Sequence, residues 1–312
     1  MKEDLKTVTK QTDMMSTVVR ITALGTDLKK TEKTVDDTLK MMQSLAALFN
    51  IYNPNSEISR INKDASEKPV IVSTEMQKIL QAAGHAHEET AGYFDVTVGP
   101  LVTLWKEAKK TGVIPSEGLI NKTKKKTDFQ DIVVEKNTVY FKKKGMSIDL
   151  GGIAKGYILS RSVAYMKEQG ISSGLVDIGG DLYAWGRKAD GTKWRVGIRH
   201  PRKEGAFLKI VNISEKAVLS SGDYERYFIK DGRRYSHIIN PFTGYPDSDI
   251  ISVTVMGPHI MDIDGYSAGL LAMGSVKAID KCKRLKKENK INDFIIAWQD
   301  EKGEMHIWKT IR

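Results

Sequence analysis

Apolar positions along the chain recur at two periods. In residues 28–49, Val35, Leu39, Met42, Ala46 and Phe49 return every three or four residues, which predicts one buried helical face, ended by Asn53-Pro54-Asn55. Residues 74–90 repeat that spacing through Met76, Leu80 and Ala83, with Ser73 or Thr74 as the cap and Gly92 as the stop. The same spacing predicts helices over 101–109, 153–169 and 260–287, the last broken at Gly274-Ser275. Strand signals are shorter. Val18, Val19 and Ile21 mark a strand over 17–24 that Gly25 closes, and 132–141 followed by 146–149 predicts a hairpin turning at 142–145. Several short strands follow within 175–239, separated by Gly, Asp and Lys turns, and further ones at 251–255, 294–298 and 305–308. Regular βαβ alternation is missing, so the expected class is α+β, with mixed or antiparallel sheets packed against helices.

Composition narrows the function classes. The 312 residues are 40% hydrophobic and 28% charged, an ordinary globular balance. No run approaches the roughly 18 apolar residues of a membrane span, so a soluble chain is expected. The single cysteine, Cys282, excludes an intrachain disulfide and any multi-cysteine metal site. Lys and Arg outnumber Asp and Glu by 49 to 39, a net +10, with lysine runs at 124–126 and 142–144. That surplus fits a solvated surface, an acidic partner or an anionic membrane face. Without a recognition motif or interleaved aromatics, nucleic acid is not an expected partner.

Four segments carry candidate chemistry. In Ser147-Ile-Asp-Leu-Gly-Gly-Ile-Ala-Lys-Gly-Tyr157 a strand reaches Asp149, two glycines turn, and a helix starts near Ile153. Unpaired N–H groups at a helix start suit a diphosphate, with Lys155 adding charge; a plain strand-to-helix connection is the alternative. Val176-Asp-Ile-Gly-Gly-Asp-Leu182 reads equally as a tight turn or a ligand contact. His237, ahead of Asn240-Pro241 and Thr243-Gly244, has the most site-like setting of the six histidines and is a candidate proton acceptor or phosphate ligand. Asp264, near the start of an apolar helix, is either a ligand for a hard divalent cation or a charge complementing the helix dipole. Tyr52 and the segment from Tyr93 to Asp95 offer aromatic faces that could stack on a planar ring or simply fill core.

Taken in order, these pieces resemble the FAD:protein FMN transferases, the ApbE-like flavin transferase family. The matching stretches are Met15-Ser-Thr17, Tyr52 with Ser56-Glu-Ile-Ser-Arg-Ile-Asn62, Tyr93-Phe-Asp-Val-Thr-Val-Gly-Pro-Leu101, Asp149-Leu-Gly-Gly-Ile-Ala-Lys-Gly156, Asp177-Ile-Gly-Gly-Asp181, Ser220-Ser-Gly-Asp-Tyr224, His237 through Gly244, and Asp264 onward. The resemblance implies an ApbE-like fold and magnesium-dependent transfer of FMN from FAD to a Ser or Thr hydroxyl of a target flavoprotein, forming a phosphoester and releasing AMP. It implies that Met15, Tyr52, Tyr93, Phe94, Asp95, Asp149, Lys155 and His237 contact FAD. It also implies that the Gly152 carbonyl and Asp264 ligate Mg2+, and that His237 and Asp264 serve catalysis. A family threonine expected one helical turn after Asp264 is Ala268 here, which offers the cation no side-chain oxygen. Magnesium-dependent FAD pyrophosphatase activity and FAD binding without turnover are the rival readings.

The resemblance further implies a bacterial, lipid-anchored, membrane-associated protein at the outer face of the cytoplasmic membrane or in the periplasm. Its acceptor would belong to a membrane redox system. No lipobox cysteine is present. Residues 1–14 are accordingly expected to be a flexible tether, ahead of a single flavin transferase domain over 15–312.

Overall fold

A computed structural model describes residues 5–246 and 248–311. Strands β1 (Lys6–Met14) and β2 (Thr17–Gly25) open it as a hairpin, followed by helices α1 (Leu28–Leu48) and α2 (Glu57–Asp64). Next come β3 (Val70–Ile71), α3 (Thr74–Glu89), α4 (Gly99–Thr111), α5 (Glu117–Lys124), β4 (Ile132–Glu135) and β5 (Thr138–Phe141). Helix α6 (Ala154–Glu168) leads into β6 (Ser173–Ile178), β7 (Asp181–Trp185), β8 (Trp194–Arg199), β9 (Phe207–Ile213) and β10 (Lys216–Gly222). The chain closes through β11 (Tyr227–Lys230), β12 (Arg233–Ser236), β13 (Ile250–Gly257), α7 (Ile260–Met273), α8 (Ser275–Lys287), β14 (Asp293–Gln299) and β15 (Met305–Lys309).

One eight-stranded sheet, ordered β1-β2-β6-β7-β10-β13-β14-β15, forms the frame, and its strand pairs are all antiparallel. Alternate residues of its strands enter two cores. Val19, Ile21, Ala217, Leu219, Phe294 and Ile296 pack beneath the helices, whereas Leu182, Ala184, Val218, Met256 and Ile295 meet Trp194, Val196 and Val211 of the β8–β9 hairpin. Strand β13 is buried at every position because both faces are covered, which is why it reads as a nearly unbroken apolar run. Helix α7 is likewise buried along most of its length. The α+β expectation therefore holds, with long helices starting and ending within a residue or two of their predicted bounds.

Three expectations are corrected. Lys6–Met14 is not a flexible tether: it pairs residue for residue with β2, from Lys6↔Gly25 to Met14↔Thr17. As an edge strand it faces largely outward, so polar side chains satisfy it while the backbone ladder supplies the order. The remainder of the tether expectation, residues 1–4, lies outside the described residues. The predicted hairpin turns earlier than expected. Lys136, at φ 50°, and Asn137 form its two-residue loop between Glu135 and Thr138, pairing β4 with β5. Residues 146–149 run outside any strand. There the Asn62 side chain takes both backbone groups of Ile148, accepting from its N–H at 2.7 Å and donating to its carbonyl at 2.9 Å. A side-chain amide thus replaces a strand partner.

Candidate active site

Two hairpin tips and the end of a third strand converge at one edge of the sheet. Met15 and Ser16 join β1 to β2 with φ values of 55° and 60°, and Gly179 and Gly180 join β6 to β7 at 66° and 100°. Such left-handed pairs match the twist of two-residue hairpins. The tips abut: the Gly179 N–H donates to the Val18 carbonyl at 2.9 Å, and a Cβ on Gly179 would stand 2.2 Å from Thr17 Oγ1. Asp181, the first residue of β7, accepts the Ser220 N–H at 2.9 Å through Oδ1. Its Oδ2 holds the Lys155 ammonium.

Lys155 comes from the first turn of α6, which follows the glycine turn. Asp149 is pinned by its N–H to the Val96 carbonyl at 2.8 Å, and its Oδ1 accepts the Gly151 N–H at 2.8 Å. In the same turn of the helix, the Gly156 N–H donates to Asp264 Oδ2 at 2.6 Å. Glycine is required there, since a Cβ would lie 2.4 Å from Asp264 Cβ. At Gly152 a Cβ would lie 3.1 Å from Phe94 Cε2 and 3.4 Å from Ala268 Cβ. The fold therefore gathers Phe94, Gly152, Lys155, Asp264 and Ala268, drawn from three separate stretches of chain, around one helix start.

Burial and paired charges set the electrostatics of this cluster. Burial pushes Asp264, only 5% exposed, up to about 7, and the Asp181 carboxylate adds to the shift; Lys155 and the Gly156 N–H oppose it. Burial would lower Lys155, but the Asp181 and Asp264 carboxylates outweigh it and keep the ammonium charged. Its side chain stays 35% accessible, so solvent screens part of that attraction. Two carboxylates around one ammonium leave a net negative charge when both are ionised.

His237 is tied to Arg226 twice, by its backbone N–H at 2.9 Å and by Nδ1 at 3.1 Å from the same carbonyl. A carbonyl can only accept, so this contact assigns the proton to Nδ1 and leaves Nε2 with a free lone pair. Crowding by surrounding atoms lowers the imidazole pKa to about 4, with the Arg226 and Lys155 charges adding to the effect. The residue as a whole is exposed at the surface, so solvent reduces the size of the shift without reversing its direction. The ring is neutral at neutral pH.

The remaining expected residues divide. Phe94 is buried against Gly152. Tyr93 meets the Phe242 ring edge-on at 4.7 Å, and its hydroxyl accepts from Lys277 at 2.6 Å, so it borders the loop that follows His237. Tyr52 is 71% exposed, with Lys106 Nζ 4.9 Å from its ring centroid. Met15 sits partly buried at its hairpin tip. Asp95 is occupied structurally: its Oδ1 accepts the Thr97 N–H at 2.8 Å and hydroxyl at 2.6 Å, while Oδ2 lies 3.8 Å from His87 Nδ1.

Asp181, the partner of Lys155, is not marked by the local sequence beyond closing the second glycine cluster. Nor does the local sequence mark the hydroxyl pair Ser221–Ser267, at 2.9 Å, joining β10 to α7 beside Asp264. Nothing in the local sequence of α4 reveals that Trp105 Nε1 holds the Gly244 carbonyl at 2.8 Å, steadying the His237–Gly244 loop.

Comparison with known proteins places this arrangement. The chain is 35% identical to an FAD:protein FMN transferase of Vibrio cholerae serotype O1 over 245 residues, 77% of this chain and 73% of the relative. It is 33% identical to one of Salmonella typhimurium over 278 residues, 86% and 79% of the two chains. Among solved structures, the flavin transferase ApbE of Vibrio cholerae superposes with a TM-score of 0.83 at 28% identity, covering 98% of this chain and 97% of that one. The ApbE protein of Thermotoga maritima superposes at 0.86 with 29% identity and 96% coverage of both. A family model described as the ApbE family matches residues 15–292, most of the chain, and the chain belongs to that family.

Proposed function

We propose that this chain is an FAD:protein FMN transferase, an enzyme that moves FMN from FAD to a Ser or Thr hydroxyl of a target protein and releases AMP. The observation that carries this reading is the cluster at the start of α6. There hydrogen bonds and an ion pair hold Lys155, the Asp149–Gly152 turn and buried Asp264 in one cluster, and the neutral His237 lies within reach of the Lys155 and Asp149 charges. Similarity to transferases of the same name over most of the chain supports it.

In the proposed step the acceptor hydroxyl oxygen attacks the FMN-side phosphorus of the FAD diphosphate. The bond from that phosphorus to the bridging oxygen breaks, and AMP departs with the bridging oxygen on its phosphate. His237 Nε2 takes the hydroxyl proton as the new phosphoester forms. Lys155 orients the diphosphate and offsets its charge, while Asp181 holds the ammonium in place. Tyr93 and Phe94 would border the flavin side, with Met15 and Tyr52 at its margins and Asp95 shaping the turn beneath it.

The donor set fits magnesium. A buried carboxylate whose ionisation is opposed by burial and by a second carboxylate gains from a nearby cation, and one carboxylate with one backbone carbonyl leaves room for phosphate oxygens. Asp264 and the Gly152 carbonyl would hold it. When bound, magnesium supplies neutralisation of charge on the diphosphate and on the leaving AMP. Ala268 contributes no oxygen. Because its Cβ faces Gly152, a threonine there would add a hydroxyl at the same point. Ala268→Thr is expected to raise transfer at limiting magnesium and to lower the magnesium concentration giving half-maximal rate. Coincident magnesium titrations of the two proteins would remove the position from metal binding.

Among the described residues no helix is long and apolar enough to cross a membrane. We propose that the protein acts at the outer face of the bacterial cytoplasmic membrane or in the periplasm, a reading that the family resemblance supports. There it would be lipid-anchored and serve a flavin-carrying subunit of a membrane redox system. The direct test incubates the protein, FAD and magnesium with a candidate acceptor and seeks the added FMN mass. AMP and free FMN without covalent flavin would mean a pyrophosphatase, and FAD binding with no AMP would mean a carrier.

A further inference from the structure

The lysine surplus is concentrated on one part of the fold. Residues 101–126, which make α4, α5 and their connection, carry seven lysines against two glutamates, a net +5 and half of the whole chain's +10. Lys106, Lys109, Lys110, Lys122 and Lys125 are exposed, and none of them forms an ion pair among the described residues. Lysines elsewhere are often neutralised: Lys143 is paired to Asp131, Lys167 to Glu215, and Lys290 to Glu89. Two aliphatic side chains stand among the free charges, Val113 at 68% exposure and Leu119 at 45%.

This basic hairpin is built onto the reaction site. Trp105 stacks on Tyr235 at 5.3 Å and donates to the Gly244 carbonyl, and Lys124 Nζ donates to the Phe242 carbonyl at 2.8 Å. Helices α4 and α5 thus form the outer wall of the loop that begins at His237. At the other end, Lys106 lies over the Tyr52 ring. His237 is exposed beside this hairpin, so a protein bringing a hydroxyl to it would lie next to the free lysines. Free FAD, by comparison, needs only the interior of the site.

We infer that the α4–α5 hairpin is the docking surface for the acceptor protein, and that the acceptor meets it with an acidic face. The inference rests on the transferase reading for the identity of the partner, and it adds the surface and its charge. Unpaired lysines beside the site attract an acidic partner at long range and orient it, with Val113 and Leu119 available for contact once water is displaced. Because the charges are exposed, salt weakens the attraction.

The test compares three proteins: wild type, a rim variant with Lys109→Gln, Lys110→Gln, Lys122→Gln and Lys125→Gln, and a remote variant with Lys29→Gln, Lys30→Gln, Lys193→Gln and Lys287→Gln. Both variants lose the same charge. Labelled poly-L-glutamate is the first probe, at low and at physiological salt, and FAD binding checks that each protein is folded. The rim variant should bind the polyanion about tenfold more weakly at low salt, with the remote variant close to wild type. In FMN transfer to the acceptor identified by mass, the rim variant should raise the KM for acceptor and leave kcat and the KM for FAD unchanged. Equal losses in both variants would reduce the effect to net charge and overturn the inference. So would rim-dependent binding to phosphatidylglycerol vesicles without rim-dependent binding to poly-L-glutamate, which would assign the hairpin to a lipid surface. Should no acceptor ever gain FMN, the transferase reading fails on its own, while the polyanion comparison still decides whether this rim binds acidic chains.

Discussion

Replacing His237 with alanine is expected to slow FMN transfer by about two to four orders of magnitude while FAD still binds. The size follows from the work assigned to the ring. An unassisted hydroxyl attacking a phosphorus must shed its proton to water, whereas Nε2 is free, unprotonated and held in orientation by the Nδ1 contact to the Arg226 carbonyl. Single-turnover transfer with FAD and acceptor in excess measures the chemical step, and an unchanged rate would remove His237 from the mechanism. The same geometry predicts the titration of the ring. With its pKa lowered towards about 4, the His237 proton NMR signals should remain in the neutral position through pH 6.5, where an ordinary histidine is half protonated. The sign for stability follows from linkage. Below pH 6.5 the unfolded chain takes up a proton at this residue before the folded protein does. The residue therefore costs nothing above that pH and lowers stability progressively as pH falls towards the folded pKa. His237→Ala should flatten that part of the stability profile.

Gly156→Ala should damage both the packing and the site. The added methyl would stand 2.4 Å from Asp264 Cβ and 2.7 Å from Oδ2, so α6 and α7 must part or the aspartate must turn away. Overpacking of this kind costs about 1–3 kcal/mol. The 2.6 Å hydrogen bond from the Gly156 N–H, which fixes Asp264 Oδ2, would be lost with it. Thermal unfolding should show the lower stability, and transfer should fall further than stability alone explains, because Asp264 no longer faces Gly152 and Lys155. Gly118→Ala provides the contrast. It lies in α5 with nothing within 4 Å of its added methyl, so the change should be neutral or slightly stabilising. Matching behaviour of the two variants would show that the α6–α7 contact tolerates volume and that the close approach at Gly156 is unimportant.

Much of the framework was legible because it repeats. Helices α1, α3, α6 and α7 each span several turns, so the apolar period has room to declare itself, and Gly274 visibly divides α7 from α8. The strands β13 and β14 announced themselves as apolar runs. Elements with few or no buried side chains were hidden. Strand β1 buries only Val8, and helices α2 and α5 are about two turns long, too short for periodicity to rise above chance. The misplaced hairpin has a similar cause: Lys136 adopts a left-handed conformation that its residue type does not advertise, while the glycine at 145 does advertise a turn.

For the site, the sequence by itself singled out candidate segments: the glycine turn before Lys155, the aspartate in the second turn of α7 and the histidine before Asn-Pro, with Ala268 marked by the family resemblance. Those are properties of residue type and local order, which survive without a third dimension. Only the tertiary structure decided how they are arranged. It set Asp181 against Lys155 across the sheet edge and aimed the Gly156 N–H at Asp264. It also assigned the His237 proton to Nδ1, gave Asp95 to its own turn, and laid the basic α4–α5 hairpin along the His237 loop. Apart from the local Asp95 turn, these depend on groups brought together from separate parts of the chain, where desolvation and a few ångströms of separation fix charge and proton position. Neither quantity is written in a run of residues.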